Sequence, residues 1–455
     1  MKAYLNKISL PQIWLYLLIL SIFFPVRYVL LTPSAYLLGT YSDFTSFSIY
    51  GSDILILVGS TTALIYYRKR FVGILKDKLI VLLGFWLLTT TILHYSTNTS
   101  LNYYVLGRYA ELMVLYGTIQ AFAEYIKLNK TIYFFTILAF LQVVLELYQF
   151  SFQTNLGISH VGESIIAPHV EGVAKILAEG LIFIRGYGTF PHANVLSAVL
   201  GAATMFSLYK YFSNDDNRGK FLWLLSCCVL LTGTTLTFSR AGILASFVGS
   251  ATFILGLLWI HVPYRKIILK FLPIVAVLLV NITILNHLLV TRASVFDTAS
   301  NERRVYNNIG INMVTQNPIF GIGLGTSLLH MQQFSHTQLQ PWEHQPIHNY
   351  YLLAAAEIGI VGSFILILFF LRPLIYLIRE IKKARLKSSL ELENTLFNME
   401  LLRITFLSII VSFLVLMLFD HYFYTIHQTQ LLLWTILGLA STITERKPIM
   451  QSNIQ

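Results

Sequence analysis

Charged residues are scarce in this sequence, and its cysteines cannot build a disulfide framework. Only 12% of the 455 residues are charged, against about 25% in soluble domains. Apolar runs long enough for membrane helices recur along the whole chain. The two cysteines, Cys227 and Cys228, are neighbours and cannot connect distant loops. These features exclude a soluble domain and a disulfide scaffold, and they predict one integral membrane domain over residues 1–455.

The apolar runs predict an all-α fold, a polytopic membrane bundle of about twelve transmembrane helices. The first run is too long for the apolar core of a signal peptide and has no convincing cleavage site after it, so we interpret it as an uncleaved span. A tight turn at Ser239–Arg240 must separate two of the helices. The spans are predicted at 13–31, 52–67, 79–95, 104–123, 131–150, 193–211, 221–237, 241–260, 267–289, 349–371, 401–419 and 429–443.

Lysine is almost missing from one side of this predicted bundle. Twenty-four of the 32 lysines and arginines fall in alternate loops, including the basic loop 372–400, so by the positive-inside rule these loops and both termini are cytoplasmic. Eleven of the twelve histidines lie towards the opposite, extracytoplasmic side. The eight other basic residues, seven of them arginines, are Arg27, Arg108, Lys175, Arg185, Arg240, Arg292, Arg303 and Arg304.

The placement of the charges argues against nucleic acid as the reason for the net charge of +11. Arginine forms bidentate contacts with phosphate and keeps its charge when desolvated. The simpler alternative is snorkelling of arginine side chains at the membrane interface. That alternative suits Arg27, Arg108 and Arg292 better than it suits Arg240, Arg303 and Arg304.

Two extracytoplasmic loops, 151–192 and 291–348, are long enough to suggest function, and both contain helical patterns. In the first, apolar residues from Val170 to Leu181 repeat at helical spacing, with Pro168 before them, which predicts a short amphipathic helix in the membrane interface. The segment RGYGTFPHAN then leads into the sixth span.

The second long loop is predicted to contain a helix that starts at the N-cap Ser300 and ends before Pro318. Val305, Ile309 and Met313 would form its apolar stripe. Arg303 and Arg304 would then lie in its first turn, where a positive pair is unfavourable unless an anion binds or Glu302 neutralises it. The pattern favours an anion site in this loop.

Nucleotide and metal signatures are incomplete in the same loop. FGIGLG, residues 320–325, lacks both the GK[ST] ending and the full GxGxxG pattern, so close backbone packing or a reentrant turn is the better interpretation. His344 and His348 have helical metal-ligand spacing, but Pro346 between them argues against a shared helix. We therefore predict no metal and no cofactor. His348, directly before the tenth span, is expected to stay neutral and accept a proton, unless it only hydrogen-bonds the loop.

Four segments then stand in a fixed order along residues 185–375. They are RGYGTFPHAN from Arg185, TFSRAG around Arg240, an R-x(n)-P-x-x-G-x-G pattern from Arg303, and HNYYLLAAAEIGIVG from His348. Together they resemble the bacterial O-antigen ligase and O-antigen polymerase family, whereas the first five spans match that family only in being hydrophobic. Asn307 stands where many members carry an aromatic residue, with Tyr306 beside it, which leaves the family arginine as either Arg303 or Arg304.

The resemblance implies a glycosyltransferase on the extracytoplasmic face of the bacterial inner membrane. The implied donor is a glycan on undecaprenyl diphosphate, and the implied acceptor is a hydroxyl of a glycan or glycolipid. A ligase would use a lipid A core as acceptor, whereas a polymerase of O-antigen, capsule or exopolysaccharide would use another lipid-linked repeat and allow a chain-length regulator as partner. The resemblance implies catalytic roles for His348, Arg303 and Arg240 and substrate binding by Arg304, Arg185, Asn349, Asn194 and Glu357.

A multi-pass transporter is the main alternative from another class, because about twelve spans suit it as well. Transporters, however, place charged residues near the midplane of the membrane and contain internal repeats. The candidates at membrane depth are few, namely Arg108 with Glu111 and the acid Glu146, and the two halves show no repeat. A structural or assembly protein would not need arginine and histidine concentrated on one side.

Overall fold

A computed structural model describes residues 9–178, 181–294, 296–387 and 394–445. Over these residues the chain is an all-α bundle with three small antiparallel hairpins, which confirms the predicted fold class. The helices are α1 Leu10–Phe23, α2 Gly51–Tyr66, α3 Arg68–Leu75, α4 Lys78–Leu93, α5 Tyr95–Ala121, α6 Leu128–Phe152, α7 Ala193–Ser213, α8 Asn217–Leu236, α9 Arg240–Trp259, α10 Tyr264–Ser294, α11 Phe296–Gln316, α12 Ser327–Phe334, α13 Tyr350–Lys387, α14 Asn394–Leu416, α15 Tyr422–Thr425 and α16 His427–Glu445.

Every predicted span overlaps one of these helices. Seven of the described helices, α6 to α10, α13 and α14, are long and apolar enough to cross a membrane, and α1, α2 and α4 are shorter apolar helices. The chain is therefore an integral membrane protein, and the number of twelve spans stays a prediction. The first predicted span is too long, because α1 ends at Phe23, just before Pro25, and the apolar residues that follow form a strand.

Helix α7 lies at the centre of the bundle and is buried along its whole apolar length. It packs against α6, α8, α9 and α14. Small residues permit this close packing, as is common between membrane helices: a Cβ on Gly242 of α9 would lie 2.2 Å from the hydroxyl oxygen of Ser197 in α7. The first turns of α7 and α9 are thereby held side by side.

The connection between α1 and α2 forms two hairpins, which we call the cap (residues 24–50). Strand β1 Arg27–Leu30 pairs with β4 Phe47–Tyr50, and β2 Tyr36–Leu37 pairs with β3 Thr40–Tyr41. The inner hairpin turns through Leu38 and Gly39, which both have positive φ, as a two-residue hairpin turn requires. The sequence interpretation missed the cap because it extended the first helix through β1.

The predicted interfacial helix around 170–181 is wrong. This part of the chain forms the strands β5 Lys175–Ala178 and β6 Leu181–Ile184, which pair antiparallel. Gly172 has a positive φ that no α-helix permits, and the run LIFI is rich in residues that favour strands. A helical repeat of apolar residues over so short a segment therefore did not decide its structure.

The predicted helix start at Ser300 is also wrong. Helix α11 begins at Phe296, so Arg303 and Arg304 lie about two turns inside it rather than at its N-terminus. Its buried stripe consists of Tyr306, Ile309 and Met313, whereas Val305 is exposed. The end of the helix before Pro318 agrees with the prediction.

Candidate functional site

Arg240 opens α9 directly after a sharp turn. Phe238 has a positive φ, and the Ser239 hydroxyl accepts the Gly242 N–H at 3.1 Å, which caps the helix. Because position 242 contacts Ser197, only glycine fits there without displacing α7. The S-R-A-G sequence thus sets the direction in which α9 starts and fixes Arg240 at the end of the bundle that carries the three hairpins, which we call the hairpin end.

Arg303 projects towards the same place from α11. Its charge interacts with Arg240, with His348 and with the Asp420–His421 pair. Arg304, its neighbour in sequence, is exposed. The geometry therefore brings Arg303, and not Arg304, to Arg240 and His348.

His348 lies just before the first turn of α13. Its imidazole stacks on Tyr306 with 5.6 Å between ring centroids and meets His421 edge-on at 5.0 Å. Burial lowers the pKa of His348 to about 4, and the positive charge of Arg303 acts in the same direction, while the Pro346 carbonyl opposes both. The ring is therefore a neutral imidazole at physiological pH, held between two other rings.

Asn349 and Glu357, two residues of the same sequence motif, make contacts within the protein. The Asn349 side chain accepts the Leu352 N–H at 3.0 Å, and its amide donates to the Leu418 carbonyl at 3.1 Å, so it secures the start of α13. The buried Glu357 carboxylate accepts the Gly325 N–H at 2.6 Å and the Ser327 hydroxyl at 2.7 Å. These contacts give both residues a positioning role.

FGIGLG is a close-packed backbone loop. Helix α13 breaks at Gly359, which has non-helical φ and ψ, and the break frees backbone carbonyls that the loop satisfies. Ile322 N–H donates to the Ala356 carbonyl at 2.9 Å, and Gly323 N–H donates to the Glu357 carbonyl at 3.1 Å. The glycines before and after His348 thus pack together, and their backbone hydrogen bonds fix the FGIGLG loop to the break in α13.

Asp420 and His421, in the connection from α14 to α15, belong to the cluster although the sequence interpretation missed them. The Asp420 carboxylate accepts the Asn194 amide at 3.0 Å and the His421 backbone N–H at 3.0 Å. Burial raises the pKa of Asp420 to about 6, although the Asn194 hydrogen bond and the charge of Arg303 lower it. Burial also lowers the pKa of His421. An acid followed by histidine at the end of a long apolar run was the one available signal.

Arg185 connects this cluster to the turn before α9. The buried guanidinium donates from Nε to the Thr237 carbonyl and from Nη2 to the Asn194 amide oxygen, both at 2.5 Å. Asn194 in turn donates to Asp420. The side chains of Arg185 and Asn194 are therefore held by hydrogen bonds within the protein, next to Asp420.

Helix α6 holds the rest of the RGYGTF segment. The Gln149 side-chain oxygen accepts the N–H groups of Tyr187 and Gly188, each at 2.8 Å, and Gln142 accepts the Thr189 N–H at 2.8 Å. Glu146, between the two glutamines, is fully buried against Gly186. Its charge interacts with that of Arg185, and neither carboxylate oxygen has a hydrogen-bond partner among the described residues.

A cavity of about 1000 Å³ opens on one side of His348. Three segments surround it, the cap, the loop 159–173 and the loop 341–345. His348 and His421 line the cavity, as do His192 and His344. The cavity therefore gives solute-sized molecules access to the imidazole of His348.

A second charged cluster lies beside the cap. Arg108 forms ion pairs with Asp53 at 2.7 Å and with Glu111 at 2.8 Å, as the sequence suggested for the Glu111 pair. His427 approaches Asp53 at 3.6 Å, so these groups have the composition of a cation site. The guanidinium of Arg108 already contacts both carboxylates, so we interpret the cluster as a structural ion-pair network.

Comparison with known proteins agrees with the geometry. Residues 221–367 match the family model described as O-antigen ligase, a segment that contains Arg240, Arg303 and His348. No curated protein sequence matches the chain. The family context is a membrane enzyme of the glycosyltransferase type that handles lipid-linked sugars. The chain thus combines a helical membrane bundle with a segment, residues 221–367, that is similar to the O-antigen ligase family.

Proposed function

We propose that the protein transfers a glycan from undecaprenyl diphosphate to a sugar hydroxyl at the extracytoplasmic face of the bacterial inner membrane. The observation that carries the proposal is the convergence of Arg303, Arg240 and His348 from three separate elements of the hairpin end. Two guanidinium groups beside a neutral imidazole suit a reaction that expels an anion and needs a base. The hairpin end would face the outside, in agreement with the basic loops at the other end.

In the proposed reaction, the acceptor oxygen forms a bond to the anomeric carbon while the bond from that carbon to the phosphate oxygen breaks. The acceptor proton passes to His348, and the electron pair of the broken bond leaves with the lipid diphosphate. Negative charge grows on the diphosphate, where Arg303 and Arg240 would stabilise it, as cationic clamps do in phosphoryl transfer. The energy resides in the phosphoester donor, so the proposal requires neither nucleotide nor metal.

A ligase and a polymerase differ in the acceptor that they use, and we favour a ligase. A polymerase would bind a second lipid-linked repeat, so it would need room for two polyprenyl diphosphates. Arg303 and Arg240 form one cluster with His348, and the large cavity adds a single arginine, Arg27, which pairs with Asp43 at 3.1 Å. One diphosphate and one acceptor glycan fit this arrangement better. Products formed from defined lipid A-core and lipid-linked acceptors distinguish the two activities.

The test is transfer by the purified protein in proteoliposomes, with a lipid-linked glycan as donor. We expect His348→Ala to lower the rate by about 100- to 10,000-fold, the usual contribution of a general base. His336→Ala is the matched control, because His336 is an exposed histidine of the same long loop and should keep the wild-type rate. Full transfer by His348→Ala would refute the base role. Counterflow of a small solute without glycan turnover would favour the transporter alternative.

A further inference from the structure

The large cavity reaches His348 but does not include the arginine cluster. The cavity is lined by His348 and His421, whereas none of Arg185, Arg240 and Arg303 contributes to its wall. Arg303 nevertheless interacts with both histidines. The two imidazoles therefore lie where the cavity wall and the arginine cluster meet. A transfer reaction has two substrates, and this arrangement allows each to be recognised by different chemistry.

The fixed charges of the cavity wall do not suit an anion. Among the described lining residues they are one arginine, Arg27, and three carboxylates, Asp43, Glu163 and Glu171. Arg27 pairs with Asp43 at 3.1 Å, so its guanidinium already has a carboxylate partner. Glu163 is buried and accepts the backbone N–H groups of Leu156 and Ile158, at 2.7 and 2.9 Å, as a carboxylate does. A phosphorylated sugar in this cavity would thus face a wall with an excess of negative charge.

Trp342 stands at this cavity on a rigid support. It lies in the 3-10 turn Pro341–Glu343, which is closed by the Glu343 carboxylate accepting the Gln340 N–H at 2.7 Å, and His344 contacts the Gln340 carbonyl at 3.0 Å. The residue is nevertheless 68% exposed. An exposed indole beside a cavity with a mixed polar and apolar wall offers an apolar plane to the C–H face of a sugar ring, while the hydroxyls of the sugar remain available for hydrogen bonds.

We propose that this cavity binds the acceptor as an uncharged sugar chain, with Trp342 as a stacking surface beside the His348 wall. The inference rests on the proposed function and adds to it the chemical class of the acceptor end. The lipid diphosphate of the donor would occupy the arginine side, and the acceptor hydroxyl would reach His348 from the cavity. Sugars that carry phosphate, sulfate or carboxylate groups at the reacting end would be excluded.

The test measures glycan binding without any donor. The probe is a printed panel of neutral and acidic bacterial oligosaccharides, to which full-length protein in detergent is applied. We expect binding to neutral members, weakened about 10-fold or more in Trp342→Ala, which corresponds to loss of one well-packed aromatic contact. Trp342→Phe should retain most of the affinity because it keeps an aromatic plane. Trp259→Ala is the matched control, since Trp259 is a partly exposed tryptophan at the opposite end of α9.

Three results would overturn the inference: no binding to any neutral glycan, binding restricted to acidic glycans, or unchanged binding by Trp342→Ala. The last result would make Trp342 a membrane-interface anchor, the ordinary alternative for an exposed tryptophan. Because the assay contains no donor, neutral-glycan binding without any transfer activity would leave this inference intact and refute the proposed reaction. Transfer activity without neutral-glycan binding would do the reverse.

Discussion

At the residue scale, the distinction between Arg303 and Arg304 is the sharpest feature of the site. Adjacent residues on an α-helix point about 100° apart, so one faces the His348 cluster and the other faces solvent. Tyr306, one turn further along α11, then meets the imidazole of His348. The geometry therefore places Arg303 beside His348, and the assignment of the family arginine to Arg303 stays a prediction.

We expect the substitution of arginine by lysine to have different effects at positions 303 and 304. Arg303→Lys keeps the charge and loses the planar fork, so we expect transfer to fall by roughly 10- to 150-fold, the worth of a hydrogen bond to a charged group. Arg304→Lys should change transfer less than about 3-fold, as for an exposed site. The measurement is kcat/KM for the lipid-linked donor. Equal losses in both variants would mean that overall positive charge matters and bidentate geometry does not.

The pH profile should separate two groups of the cluster. At pH 7 His348 is neutral and Asp420 is ionised, because their pKa values are about 4 and about 6. As pH falls, Asp420 gains a proton first and loses its charge beside Arg303, and His348 is protonated next and stops acting as a base. We expect kcat/KM to fall through both values, and Asp420→Asn to remove the upper step while keeping the lower one.

The melting temperature, followed at each pH, serves as the control for acid unfolding. A lower step near pH 6.5 in Asp420→Asn would mean that His348 has the ordinary histidine pKa. That result would contradict a pKa of His348 that is lowered by burial.

The sequence predicted the residues that carry a motif and missed those that do not. Arg240 and His348 stand in short recognisable segments, so their chemistry could be read locally. Asp420 and His421 join the cluster only through the packing of α14 beside α13, which no local pattern encodes. Arg185 was predicted as an anion ligand, and its two hydrogen bonds within the protein became visible only in three dimensions. The substrate roles of all these residues remain predictions.

At the element scale, the broken helix α13 places His348. The chain leaves helical geometry at Gly359, whose φ is +74°, and a Cβ there would lie 1.8 Å from the Ile319 carbonyl oxygen. Ile360 N–H donates to the Pro318 carbonyl at 2.9 Å, which ties the break to the end of α11. The helix that begins beside His348 is thus fixed relative to the helix that carries Arg303.

Gly359→Ala should therefore destabilise the fold. A non-glycine residue at this φ costs about 1–3 kcal/mol, before the clash with Ile319 is relieved. We expect a melting temperature several degrees lower in detergent, with transfer lost more than the folded fraction explains. Gly107→Ala is the control, because a Cβ there meets nothing within 4 Å inside the exposed face of α5. Identical melting temperatures of the two variants would contradict a structural requirement for glycine at position 359.

Predictions from periodicity succeeded for long helices and failed for short segments. The pair α8 and α9, with its tight turn at Ser239, was correctly separated because each helix is a full apolar run. The cap and the β5–β6 hairpin were missed because apolar runs of four to eight residues fit strand and helix equally well. The cap is one of the walls of the cavity, so the shape of the cavity could not be predicted from the sequence.

At the scale of the whole molecule, the two ends of the bundle have opposite chemistry. The hairpin end carries Arg240 and Arg303 together with the histidines His192, His348 and His421. The other end carries basic residues such as Arg372, which pairs with Asp77, and Lys270, which lies over Tyr211 and Phe212. Lysine can snorkel to anionic headgroups on the cytoplasmic side, where positive loops are retained. This asymmetry predicts orientation independently of the proposed reaction.

Cysteine labelling in intact cells tests that orientation. In a Cys227→Ser, Cys228→Ser background, Ser335→Cys at the hairpin end should react with a membrane-impermeant maleimide, and Lys69→Cys should react only after the membrane is opened. Both positions lie outside the apolar helices, after α12 and in α3, so each is reachable from one side alone. The reverse pattern would place the His348 cavity in the cytoplasm, where nucleotide sugars replace polyprenyl diphosphates as the common donors. The proposed donor would then be wrong even if His348 proved to be the base.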